Sequence, residues 1–159
     1  MFTQHGISFQ KTEAPDFEIH TPFDGSTAEC AAVNVAHSLE GKDLIYKLTS
    51  ALVRKASKPY ASKSAILLVD YTNVLFTSVL NRRPLSQDEI NDAVASTFRQ
   101  SPFGAVLATA LVADVKARRF LMGGFSEISH DAPDSVRGVF EKLELSGPRD
   151  VTYTVPFTI

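Results

Sequence analysis

Asp16 and Glu29 are the two residues of this chain whose types and placement could do chemistry together. Asp16 opens the run Pro15-Asp16-Phe17-Glu18-Ile19-His20, and Glu29 interrupts Ala28-Glu29-Cys30-Ala31-Ala32-Val33. Pro22 and Asp24-Gly25-Ser26 lie between them, and residues of this kind turn the chain between neighbouring strands. A hairpin would set the two carboxylates side by side. Such a pair can hold Mg²⁺ or Mn²⁺, because a hard cation takes one or two carboxylates and completes its shell with water and phosphate oxygens. The bound ion would generate hydroxide and stabilise developing charge at a phosphodiester. Glu18 and His20 share Asp16's strand face and could join the site. The plainer reading leaves these side chains solvated on a half-exposed hairpin, since carboxylates are mostly at the surface.

The rest of the chain must position that hairpin. Ile7 and Phe9 alternate with polar residues as in a half-buried strand. Phe17 and Ile19 would face one side of the next, with Pro15 at its start, where a missing N–H costs least. Residues from Ala28 to Ala36 read as a small-residue strand. From Gly41 the period changes. Leu44, Ile45, Leu48, Ala51, Leu52 and Ala56 recur at helical spacing, so a helix is expected from Lys42 to Ser57, stopped by Pro59. Ala65-Ile66-Leu67-Leu68-Val69-Asp70 is a short continuous apolar run and predicts a strand buried on both faces. Ser86 and Glu89 form a capping box ahead of the stripe Ile90, Ala93, Val94 and Phe98, and Gln100-Ser101-Pro102 ends that helix.

Phe103 to Val115 predicts another apolar strand, with Arg118-Arg119-Phe120-Leu121-Met122 as its hairpin partner. Met122-Gly123-Gly124-Phe125 reads as a strand end or bulge. Asp131-Ala132-Pro133-Asp134 leads into a helix carrying Val136, Val139, Phe140 and Leu143. Gly147-Pro148 breaks it, and Val151, Tyr153 and Val155 alternate in a last strand. The order predicts an α/β or α+β fold, a mixed β-sheet flanked by helices, with residues 1–159 forming a single domain.

With these elements in place, the hairpin resembles the PD-(D/E)XK, or restriction-endonuclease-like, superfamily. The matching residues are Pro15-Asp16 and Glu29-Cys30-Ala31, followed by a lysine-rich helix ending Lys55-Ala56-Ser57-Lys58-Pro59-Tyr60 and the strand Ile66-Leu67-Leu68-Val69-Asp70. The resemblance covers roughly residues 14–70. It implies a restriction-endonuclease-like core and a metal-dependent nuclease in which Asp16 and Glu29 are catalytic and hold Mg²⁺ or Mn²⁺. The family's lysine, two places after the glutamate, falls on Ala31, so Lys55 or Lys58 would supply the catalytic ammonium from the helix. Ala31 equally suits the alternative, a non-catalytic interaction or assembly protein that retains the fold.

The chain carries 16 Lys and Arg against 18 Asp and Glu, a net charge of −2, so any attraction to nucleic acid must be local. Lys42, Lys47, Arg54, Lys55, Lys58 and Lys63 cluster on and just beyond the first helix, opposed by Asp43 alone. A phosphate backbone would track that face. The single cysteine, Cys30, excludes an internal disulfide framework and reads as a packing thiol. His5, His20, His37 and His130 lack zinc-type spacing. No apolar run approaches the roughly 20 residues of a membrane span, and no signal peptide pattern opens the chain. The expectation is a cytoplasmic protein without membrane contact. Phe103–Val115 or Val151–Ile159 could build a homo-oligomer through an exposed strand.

Overall fold

Hydrogen bonding sorts the apolar runs into one sheet. In the computed structural model, which describes residues 5–20, 23–36, 38–114, 119–145 and 149–156, the strands are β1 (Phe9–Lys11), β2 (Phe17–Ile19), β3 (Ser26–Ala32), β4 (Ala65–Asp70), β5 (Ala105–Asp114), β6 (Arg119–Ile128) and β7 (Arg149–Pro156). They lie side by side in the order β1-β2-β3-β4-β5-β6-β7. The pairs β3–β4 and β4–β5 are parallel and the other four antiparallel. The helices are α1 (Lys42–Ala56), α2 (Thr72–Leu80), α3 (Gln87–Arg99) and α4 (Asp134–Lys142). The fold is α+β with a mixed sheet. Pro22, His37, Val115, Arg118, Gly147, Pro148 and Ile159 lie outside the described residues.

The sheet separates two cores. One face of β3, β4 and β5 (Ala31, Leu67, Val69, Val106 and Ala108 among others), with Val33 just beyond β3, packs against α1, α2 and α3. The other face, with Ala28, Ile66, Ala105 and Leu107, packs against Val136, Val139, Phe140 and Leu143 from α4 and its C-terminal end. Strand alternation alone produces this division. Leu44, Leu48 and Leu52 of α1 are fully buried, each stabilising by roughly 1.5–3 kcal/mol relative to an exposed side chain. Ser86 caps α3 as its sequence predicts, its hydroxyl accepting from the Glu89 N–H while the Glu89 carboxylate accepts from the Ser86 N–H.

Three elements differ from expectation. The helix α2 has no counterpart in the sequence reading: its exposed side carries Phe76, Val79 and Leu80, so no polar stripe marks it out. β6 runs through Gly123 and Gly124 to Ile128 instead of ending there. At Gly124 a Cβ would stand 2.0 Å from the Ala108 carbonyl oxygen, so the glycine permits close approach of β5. β3 ends at Ala32, short of Ala36. β5 is paired on both sides and offers no edge for a second copy, whereas β7 lies at the margin of the sheet.

Candidate functional site

Glu29 is a charged side chain on the apolar, α1-facing side of β3, in register with Leu67 of β4. It is 3 % exposed. The solvated-hairpin expectation fails for this residue. Burying a carboxylate is costly without compensating donors, and three are present. The Lys55 ammonium pairs with Oε1, the Tyr60 hydroxyl donates to the same oxygen at 2.7 Å, and the Asp16 N–H donates to Oε2 at 3.1 Å. Lys55 follows Leu52 by three positions, so the buried stripe of α1 itself delivers its ammonium to the sheet.

Asp16 stands just before β2. Extending the Phe17–Ala28 pairing by one step sets it opposite Glu29, and its Oδ2 accepts from the Cys30 N–H at 2.8 Å. The hairpin therefore binds each carboxylate to the backbone of the facing strand. This reciprocal arrangement fixes both rotamers. The cluster of Asp16, Glu29, Lys55 and Tyr60 carries two negative charges and one positive.

The electrostatics register on its neighbours. Burial, then the carboxylates of Asp16 and Glu29, push the Cys30 thiol up from its ordinary value, against the smaller downward pull of Lys55. Burial, then the Glu29 hydrogen bond, push the Tyr60 hydroxyl far above the ordinary phenol range. Tyr60 is thus a permanent donor.

Of the residues that the sequence nominates, Asp16, Glu29 and Lys55 come together. Lys58 is exposed and makes no hydrogen bond or ion pair with the cluster among the described residues. Glu18 is exposed and His20 half-buried; no group of three or more His, Cys, Asp or Glu that could hold a metal occurs among the described residues. Ala31 is buried on Glu29's side of the strand. Lys42, Lys47, Arg54 and Lys58 are all exposed, and no ion pair engages them among the described residues. Lys63 instead turns to a second polar cluster, donating to Ser129 at 3.2 Å and pairing with Asp131 at 3.1 Å. There the Ser129 hydroxyl and the Lys63 ammonium lower the Asp131 carboxyl to about 2. Beside it, Arg99 grips the buried Glu127 through two hydrogen bonds at 2.7 and 3.0 Å.

Tyr60 is the residue that sequence reasoning missed. Its one signal is position, directly after the Pro59 that ends the helix bearing Lys55. Comparison with family models, with curated proteins and with solved structures gave no match in any of the three. No helix among the described residues is long and apolar enough to cross a membrane.

Proposed function

We propose that this chain is a restriction-endonuclease-like protein that hydrolyses phosphodiesters at the Asp16–Glu29–Lys55 cluster with a divalent metal. One observation carries the reading: the α1 crossover between β3 and β4 brings Lys55 onto Glu29, opposite Asp16, so the two acids and the ammonium converge although Ala31 occupies the usual lysine position. The donor set suits a hard cation. A carboxylate offers about four lone-pair sites; Glu29 uses three and Asp16 one among the described residues, leaving oxygen positions on both. Asp16 and Glu29 would hold Mg²⁺ or Mn²⁺. The ion would supply Lewis acidity and a more acidic water at a phosphodiester.

The chain's own residues do the remainder. Lys55, paired with Glu29 and with 26 % of its side chain exposed, would place a positive charge where a phosphate gathers negative charge. Tyr60 keeps Glu29 in position when Lys55 moves. Lys42, Lys47, Arg54 and Lys58 give a nucleic-acid backbone an exposed basic track along α1.

Calorimetric titration with Mn²⁺ tests this, alongside cleavage of duplex and single-stranded DNA and RNA. The variant is Asp16→Asn, whose amide oxygen still accepts from Cys30. Metal binding and metal-dependent cleavage in the wild type, both lost in the variant, are expected. A wild type that binds no Mn²⁺ would sink the proposal and make the cluster a structural ion pair in an interaction protein.

A further inference from the structure

We propose that the open cleft on the α4-facing side of the sheet is a binding site for a small, flat aromatic cation. The cleft measures about 510 Å³, within the range that small-molecule sites occupy. Two rows of residues in register make its floor. Cys30, Leu68 and Leu107 pair across β3, β4 and β5, and Ala32, Asp70 and Thr109 pair one step beyond. Phe17 and Met122 supply its walls, and Phe9 meets Phe17 edge-on with ring centroids 5.4 Å apart.

Position and chemistry agree. The rows lie toward the carboxyl ends of the parallel strands β3 and β4, against the first half of the longer β5; strand carboxyl ends are where open α/β sheets hold their ligands. α4 packs against the preceding residues, Ala28, Ile66 and Ala105, and every described residue lining the cleft belongs to a strand. Thr109 pairs with Gly124, which has no side chain to fill the floor. The lining is apolar apart from Cys30, Thr109 and one charge, Asp70. Asp70 Oδ1 accepts from the Thr72 N–H at 2.9 Å; Oδ2 has no partner among the described residues. An aromatic wall, a thioether and a single carboxylate select a flat ring bearing positive charge. An anion of the same size would meet Asp70 unfavourably.

This site is separate from the carboxylate cluster. Glu29 points to the opposite face of the same strand, and the inference stands whether or not the chain cleaves phosphodiesters. Cys30 provides a built-in reporter, since its thiol lines the cleft.

The test uses the full chain and two fluorescent probes, the cation proflavine and the anion 8-anilinonaphthalene-1-sulfonate. Proflavine should bind at one site at least about ten-fold more tightly than the anion, the order set by the carboxylate and the aromatic wall. Saturating proflavine should slow iodoacetamide alkylation of Cys30 by at least about ten-fold, as burial of a thiol does. Asp70→Asn should weaken proflavine and spare the anion. If that variant folds poorly, Thr109→Lys takes its place: it sets an ammonium beside Asp70 and should abolish proflavine binding. Equal affinity for both probes, or unprotected Cys30, would overturn the proposal. So would a sedimenting dimer whose Cys30 is shielded without probe, because a second copy would then occupy the cleft.

Discussion

The Tyr60 hydroxyl sits 2.7 Å from Glu29 Oε1, a contact across 31 positions of sequence that shares its acceptor with Lys55. The two donors differ in consequence. Tyr60→Phe removes a hydrogen bond from a neutral donor to a charged acceptor and should cost about 1.5 kcal/mol, the low end for such bonds because Lys55 and the Asp16 N–H still serve the carboxylate. Lys55→Met strips the partner from a buried carboxylate and should cost about 2–3 kcal/mol, below the range for fully buried pairs because Lys55 is partly solvated. Urea denaturation of both variants decides the order. Equal losses would mean that the ammonium contributes no more than the phenol.

Cys30 reports the same charges kinetically. Its raised pKa keeps the thiol protonated, and only the thiolate is alkylated. The pH midpoint of alkylation should therefore lie above that of a free thiol. Asp16→Asn should move it down, and Lys55→Met should move it further up. A midpoint insensitive to both would remove the electrostatic link between this thiol and the cluster.

Asp131 predicts an acid limb. Its folded-state pKa is depressed to about 2 by Ser129 and Lys63, below the value near 3.9 expected in the unfolded chain. A depressed carboxyl stabilises above the unfolded value, and that contribution is lost as pH falls through the folded one. Between about pH 4 and 2 the wild type should lose more stability than Asp131→Asn. Acid titrations of the two proteins, monitored by circular dichroism, that superimpose over this range would reject the idea.

Gly124 should not tolerate a methyl group. Its Cβ would stand 2.0 Å from a backbone oxygen of β5, and neither strand can yield without breaking the ladder. Gly124→Ala should cost about 3 kcal/mol or more. Gly123→Ala, where a Cβ meets nothing within 4 Å, should be nearly neutral. Comparing the two thermal midpoints separates close approach from a general intolerance of β6.

What the sequence made legible were features with strong local signals. The Ser86–Glu89 box, the leucine stripe of α1 and the apolar run of β4 each dictate their own element. The Asp16–Glu29–Lys55 grouping had no such local signal. The resemblance nominated Asp16 and Glu29 and offered Lys55 and Lys58 alike from the polar side of the helix; that Lys55, three positions beyond Leu52, is the one that meets Glu29 is visible only in the structure. Tyr60 could not be read, because a residue in the connection after a helix carries no periodicity. α2 escaped because its exposed Phe76, Val79 and Leu80 erase the polar side that marks a surface helix.

The order of the strands in space repeats their order in the chain. A polypeptide emerging from the ribosome therefore finds the partner of each new strand already made, and no later segment has to be threaded between two earlier ones. Assembly can advance from one margin of the sheet to the other, each closure spanning a single connection. The antiparallel pairs β1–β2 and β2–β3 close short loops first, whereas the parallel pairs β3–β4 and β4–β5 wait on the helices between them. β7, the latest of the described strands, takes its place at a margin of the sheet, with β6 as its one partner among the described residues.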